Sequence, residues 1–306
     1  MCCYQTAVFG DLLCALVAID FNIRTYENAQ FLVWVPDYMV EFCKHVLPRA
    51  TSVRSYTDAK TLYNETLPGT STAWVGFHSP MRTHPVDYGF HVLSDRHIDD
   101  YNQKNYLKIN SSKIKIFKYQ LPEKYVVMAC AATTPAKEMP VATMNQIIDY
   151  VISKGYTPVF LGKTVAETGV DNIQLKAKEF DINYSKGINL LNKTTLLDSA
   201  GIISNAKVMI GMDGGLIHLA GFTEVPIVVG YTFINPNHNV PIRHGQLGWN
   251  CFTVVPEESL ACRFCQTNTN FIYDLDYRDC MLKTDKYKCS KQMLPDQFIK
   301  HLDNIL

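Results

Sequence analysis

Long apolar runs are missing from this sequence. No segment approaches the ~18 uninterrupted apolar residues of a membrane-spanning helix, and no basic stretch precedes an apolar core at the N-terminus. A membrane span and a secretory leader are therefore not expected, and residence in the cytoplasm is. Charge of one sign is missing as well: 29 basic residues balance 29 acidic ones. That balance excludes the broad positive field behind non-specific nucleic-acid or anionic-membrane binding. Repeats and low-complexity tracts are absent, and so is a disulfide framework. Of the 10 cysteines, Cys2, Cys3, Cys14, Cys43, Cys130 and Cys251 form no pairing pattern and read as soft apolar residues in a reducing compartment. What is there is 306 residues with 47% hydrophobic content, enough for two cores at ~150 residues per domain.

The first half alternates short apolar β-type runs with helical stretches. Thr6 to Phe9 reads as a strand and a helix begins near Asp11; Phe31 to Val35 is followed by a helix from Tyr38 to Val46. Trp74 to Phe77 reads as a further strand, and the loop Ser79, Pro80, Met81, Arg82, Thr83 and His84 leaves its C-terminal end. Between Tyr101 and Gln120 the chain turns polar, with five lysines, and the domain boundary is placed there, dividing 1–120 from 121–306. The second half repeats the rhythm: strand 125–130, helix 141–154, strand 157–161, helix 194–204, strand 207–210, helix 214–221, strand 226–229. Such alternation predicts an α/β fold with mostly parallel, doubly wound sheets. The tail after Cys251 is irregular until a closing amphipathic helix, Asp296 to Leu306.

Two strand-to-helix loops carry groups suited to an anion, and a third carries a carboxylate suited to a ribose. In the run Gly211, Met212, Asp213, Gly214, Gly215, Leu216, Ile217, His218, the carboxylate of Asp213 can cap a helix whose free amides begin at Gly214 and Gly215. A diphosphate could approach that positive end closely, and His218, one turn on, could donate to a phosphate or a sugar hydroxyl. A capped, tightly packed helix with a satisfied histidine accounts for the same letters. The loop from Ala131 to Pro140 adds the hydroxyls of Thr133 and Thr134 and the ammonium of Lys137, suited to a leaving diphosphate, although a single lysine in a turn is more often only solvated. In the third loop Glu167 could accept from a ribose diol. Gly162, Lys163 and Thr164 imitate the end of a P-loop, but Thr157 stands where that motif needs its earlier glycine, which excludes the ATPase reading. Near the N-terminus Asp11 serves either as a helix cap or as a general base facing a cleft.

Taken together, these segments resemble glycosyltransferase family 9, the ADP-heptose:lipopolysaccharide heptosyltransferases. The likeness is clearest in Ile188 to Leu191, Lys193 to Leu197, and the Asp-x-Gly-x-x-His-x-Ala core of Asp213, Gly215, His218 and Ala220. Ala136 to Pro140 is similar to the family's Ala-Lys-x-Trp-Pro, with Met139 in place of tryptophan, and Gly10 to Leu13 matches its N-terminal Gly-Asp turn. The resemblance implies a GT-B fold of two Rossmann-like domains facing a central cleft, 1–120 on the acceptor side and 121–306 binding the nucleotide sugar. It further implies inversion at the anomeric carbon, no metal needed for catalysis, Asp11 as base, and Lys137 with the amides of Gly214 and Gly215 on the diphosphate. His218 supports the donor pocket, and Thr133, Thr134 and Glu167 are phosphate and ribose contacts. The N-terminal lobe departs from the pattern, with no matched basic patch for an acceptor, and Gly214 stands where many members carry a hydroxyl residue.

The expected partners are a nucleotide-diphosphate sugar, in the family ADP-linked, and a hydroxyl acceptor on a glycan, a lipid-linked sugar or another molecule. Cys262, Cys265, Cys280 and Cys289 could form a structural zinc site, a disulfide staple or free thiols. An inactive nucleotide-sugar binder of the same fold is the alternative function. A nucleotide-sugar epimerase would need a second cleft acid, and none presents itself.

Overall fold

The computed structural model describes residues 2–5, 9–26, 28, 30–55, 72–75, 107–130, 134–163, 165–166, 175–176, 182–244, 246–267, 280 and 282–306. The expected sites Thr133 and Glu167, and the loop of Ser79 to His84, lie outside the described residues. Two parallel sheets organise the chain as GT-B. The first is built from β1 (Cys2–Gln5), β2 (Leu32–Val35), β3 (Ser52–Ser55) and β4 (Thr72–Val75) in the order β3-β2-β1-β4. It carries helices α1 (Phe9–Thr25) and α2 (Val40–Val46).

The second sheet holds β5 (Tyr125–Ala129), β6 (Thr157–Leu161), β9 (Ile188–Asn189), β10 (Met209–Met212), β11 (Ile227–Gly230) and β14 (Cys251–Val254), ordered β14-β11-β10-β5-β6-β9. Two small antiparallel pairs, β7 (Val165–Ala166) with β8 (Leu175–Lys176) and β12 (Ile242–Arg243) with β13 (Gln246–Leu247), stand apart from it. Its helices are α3 (Val141–Ser153), α4 (Leu196–Ser204), α5 (Gly215–Ala220), α6 (Lys288–Lys291) and α7 (Pro295–Leu302).

Apolar runs explain the central strands. Every residue of β5, β10 and β11 is buried, as expected where helices cover both faces of a parallel sheet. The order of connection reverses between β5 and β10: β6 and β9 extend one way, β11 and β14 the other. Loops leaving adjacent strands at such a switch diverge and open a crevice at their C-terminal ends. In the first sheet the reversal falls between β1 and β4, which places the start of α1 at the corresponding crevice.

Several boundaries differ from the sequence reading. The first strand is Cys2–Gln5 rather than 6–9, and Gly10 and Asp11 already belong to the first turn of α1. The strand expected at 207–210 runs from Met209 to Met212, so the following glycines sit closer to the strand end than the pattern implied.

Helix α1 is apolar on nearly all sides, with Leu12, Leu13, Ala15, Leu16 and Ala18 fully buried, and it packs against α5 of the other half. A single apolar cluster therefore runs from Leu16 and Phe42 to Leu219 and Phe222. The rings of Phe42 and Phe222 meet edge to face at 6.0 Å.

Residues 107–121 tie the halves together. Helix α4 opens with a capping box in which Asp198 N donates to Thr195 Oγ1 at 3.1 Å and Thr195 N to Asp198 Oδ2 at 3.3 Å. The same carboxylate accepts from the Tyr119 hydroxyl at 2.8 Å and the Lys118 ammonium at 3.0 Å. Gly201 leaves room for the segment, since a Cβ there would stand 2.6 Å from Ile114 Cγ2 and 2.9 Å from Ile116 Cγ2. Both contacts are β-branched methyls with little freedom to yield. Gly201→Ala is expected to cost about 1–3 kcal/mol, read as a lowered midpoint in urea unfolding; an unchanged midpoint would mean the segment does not pack there in solution.

Candidate functional site

The loops after β5 and β10 meet at the reversal of strand order. From β5 the chain reaches a 3-10 turn, Pro135–Lys137, preceded by Thr134. From β10 it passes Asp213 into α5. These loops bring five of the expected residues together: Thr134, Lys137, Asp213, Gly214 and Gly215, with His218 one turn along.

Lys137 Nζ lies 2.7 Å from Asp213 Oδ2, an ion pair whose angle falls outside hydrogen-bond geometry. The ammonium also stands 5.4 Å from the centre of the Phe233 ring, a favourable cation–π approach. The Lys137 turn is pinned on both sides: Thr232 Oγ1 donates to the Ala136 carbonyl at 2.6 Å, and the Ser290 hydroxyl donates to that of Glu138. These two bonds fix the backbone from which the Lys137 side chain projects.

Asp213 does not cap α5, contrary to the sequence reading. The N-cap is Gly214, with no side-chain cap bond. The carboxylate turns inward, 4% exposed, towards the buried Asn239 amide and the partly exposed Lys137 ammonium rather than the helix amides. Asn239 Nδ2 donates to Asp213 Oδ1 at 2.6 Å. The amides at the start of α5, which have no intrahelical partners, thus remain without a side-chain cap. Gly214 is extended, with φ 178°, and a Cβ there would meet only the Met212 carbonyl oxygen at 3.7 Å. Neither backbone conformation nor space demands glycine at that position.

Thr134 supplies a further mark of a binding site. It is 2% exposed, and its Oγ1 has no hydrogen-bond partner. A buried hydroxyl left unpaired costs about 1–3 kcal/mol, so such a group calls for a ligand or an ordered water.

His218 is buried, and that burial lowers its imidazole pKa from the usual 6.5 to about 4; Asp213 pulls it up and Lys137 pushes it further down. Its Nε2 is 3.9 Å from Asp213 Oδ1, and its Nδ1 is 3.5 Å from the Cys14 thiol of α1. A neutral ring makes His218 a hydrogen-bonding wall of the site rather than a second cation beside Lys137. Above pH 6.5 folded and unfolded rings are both neutral, and the stability from keeping it so is fully present. As pH falls from 6.5 towards 4 only the unfolded ring takes up a proton, and roughly 3 kcal/mol is lost. The wild type is expected to lose Tm more steeply over that window than His218→Gln; parallel profiles would show that the ring is not held neutral.

Gly10 brings the N-terminal half to this wall. A Cβ on it would stand 3.0 Å from His218 Cδ2 and 3.6 Å from Gly215 Cα. The backbone of Asp11, next in the first turn of α1, is thereby placed beside the α5 loop; its side chain lies outside the described groups.

A family model, glycosyltransferase family 9 (heptosyltransferase), matches residues 75–262. The chain belongs to glycosyltransferase family 9. Lipooligosaccharide heptosyltransferase 2 of Haemophilus influenzae is 25% identical over 124 residues, 40% of this chain and 35% of that protein. The protein of the same description from Haemophilus ducreyi is 26% identical over 110 residues, 35% of this chain and 31% of its own. These matches span about a third of each relative's length. Among solved structures, the iron-containing dodecameric glycosyltransferase TibC of enterotoxigenic Escherichia coli superposes with TM-score 0.73 at 17% identity, over 99% of this chain and 75% of TibC. The Escherichia coli ADP-heptose lipopolysaccharide heptosyltransferase II does so with TM-score 0.67 at 13% identity, over 99% and 98%. At these identities the likeness establishes a family 9 GT-B fold.

Sequence reasoning missed Asn239, Phe233 and Cys14, which reach the site from the loop after β11 and from the face of α1 that packs against α5. The Asn235 to Asn239 run offered a faint signal in its density of asparagine; nothing in the letters marked Cys14 or Phe233.

The cysteine group sits behind the Lys137 turn. Gln266 N donates to the Phe233 carbonyl at 3.0 Å, and Cys289 precedes Ser290, whose hydroxyl holds Glu138. Burial, then the neighbouring Cys262 and Cys280, pushes the Cys265 thiol up to about 11; burial, then Cys265, pushes Cys289 up to about 12. Tyr287 N donates to Cys280 Sγ at 3.2 Å. All four thiols are free. Among the described residues no three His, Cys, Asp or Glu side chains are gathered closely enough to hold a metal ion as they stand. Nor, among them, is any helix long and apolar enough to cross a membrane.

Proposed function

We propose that this chain transfers a sugar, a heptose or hexose, from an ADP-linked donor to a hydroxyl of a glycan or lipid-linked acceptor, with inversion. The observation that carries the reading is the unpaired, buried Thr134 hydroxyl at the start of the turn that presents the Lys137 ammonium, at the crevice between β5 and β10. Support for the donor comes from two neighbours: TibC, also solved in complex with an ADP-heptose, and the ADP-heptose heptosyltransferase II.

In this reading the acceptor hydroxyl gives its proton to the Asp11 carboxylate as its oxygen attacks the anomeric carbon. The bond from that carbon to the diphosphate oxygen breaks on the opposite face, and nucleoside diphosphate leaves. Lys137, Thr134 and the amides of Gly214 and Gly215 hold the leaving charge. His218 walls the pocket as a neutral ring, Thr133 and Glu167 complete the phosphate and ribose contacts, and no metal is required for the displacement.

The cysteine group has a structural part, bracing the Phe233 and Lys137 loops from behind. As they stand the four cysteines are not gathered closely enough for a metal, so a zinc site would need them to draw together; TibC is described as iron-containing. Elemental analysis of the purified protein distinguishes a bound metal from thiols.

The test is calorimetry with ADP, GDP, UDP and CMP. ADP should bind most tightly, and tighter than ~1 mM, with ADP-heptose consumed in the presence of a glycan acceptor. Well-folded protein that binds none of the four would sink the transferase reading.

A further inference from the structure

We propose that Asn239 is a positioning residue of the donor site: its amide fixes the Asp213 carboxylate, which in turn holds the Lys137 ammonium on the donor diphosphate. The proposal rests on the donor-site reading above. A carboxylate torsion is broad and nearly two-fold, so Asp213 can turn between partners. Two compete here, Lys137 Nζ at 2.7 Å from Oδ2 and His218 Nε2 at 3.9 Å from Oδ1. The Asn239 amide occupies Oδ1 at 2.6 Å and leaves Oδ2 for the ammonium. Its orientation is unambiguous, because an ionised carboxylate only accepts and the NH2 group must face it.

Asn239 is itself held from two directions. Its carbonyl accepts from the buried Tyr231 hydroxyl at 3.1 Å, and its own N–H donates to the Pro236 carbonyl at 2.9 Å. Only 8% exposed, the residue has a rigid mount in the loop that follows β11. The ammonium meets that inward-facing carboxylate as an ion pair outside hydrogen-bond geometry, so its N–H donors remain available to phosphate oxygens. Removing the amide would leave Oδ1 buried and unsatisfied, and the carboxylate free to turn towards His218.

Two readouts test this. Asn239→Ala is expected to raise the Kd for ADP about tenfold. It should also speed acylation of Lys137 about threefold or more relative to Lys193 and Lys207, followed by peptide mass spectrometry, as the ammonium loses its partner. The second readout needs no donor, so it decides the role of Asn239 even if wild type binds none of ADP, GDP, UDP and CMP, the outcome that defeats the donor-site reading alone. The exchange Asp213→Asn with Asn239→Asp restores an amide–carboxylate bond but moves the charge from position 213. It should recover Tm without recovering ADP affinity or Lys137 protection. Recovery of all three by the exchange would overturn the proposal, as would an Asn239→Ala protein with unchanged affinity and unchanged Lys137 reactivity.

Discussion

Asp11→Asn is expected to lower kcat for sugar transfer by about 10²- to 10⁴-fold while leaving the Kd for ADP within about twofold of wild type. The substitution keeps size and polarity and removes only the capacity to take a proton. Its position carries the expectation: Gly10 abuts Gly215 and His218, so the first turn of α1 stands against the loop assigned to the diphosphate. A purely structural reading, in which Asp11 only stabilises the N-terminal turn of α1, makes the opposite prediction, a loss of about 1 kcal/mol in stability and unchanged turnover. Initial rates with ADP-heptose, together with urea unfolding of the same preparation, separate the two. A variant of unchanged kcat and lowered stability would assign Asp11 to the stability of α1 alone.

Lys137→Ala should weaken ADP binding by about 10- to 100-fold, the ~1.5–3 kcal/mol of hydrogen bonding to a charged group. It should also destabilise the fold by about 3 kcal/mol, since the Asp213 carboxylate, 3% exposed, loses its cation in the interior. The two effects have different causes and can be parted. Adding Asp213→Asn removes the stranded charge, so the double variant should regain most of the stability and none of the affinity. Calorimetry and chemical unfolding on the single and double variants provide the check. A double variant that recovered ADP affinity would show that Lys137 serves only to neutralise Asp213.

Much of the candidate site was legible because it is local. Lys137, Asp213 and His218 lie in short runs at the ends of apolar strands, and strand-then-loop is a pattern that period and composition reveal. The misread Asp213 shows where such reading stops. From the letters, an aspartate before two glycines is a helix cap; in the fold it is an inward-facing partner of Lys137 and Asn239, which come from loops 76 residues before and 26 after. Competition among donors for one carboxylate is decided by which of them are buried beside it, and burial is a property of the assembled chain.

The sequence by itself determined the alternating α/β rhythm, the family 9 motifs and the loops that bear the phosphate-suited groups, because each depends on side-chain periodicity and short-range turn chemistry. Only the tertiary structure decided that the β5 and β10 loops share one crevice, since strand order is set by which apolar faces pack together rather than by neighbouring letters. It alone left the Thr134 hydroxyl unpaired, kept His218 neutral and braced Lys137 from behind. Those properties come from desolvation and from contacts between residues far apart in the chain.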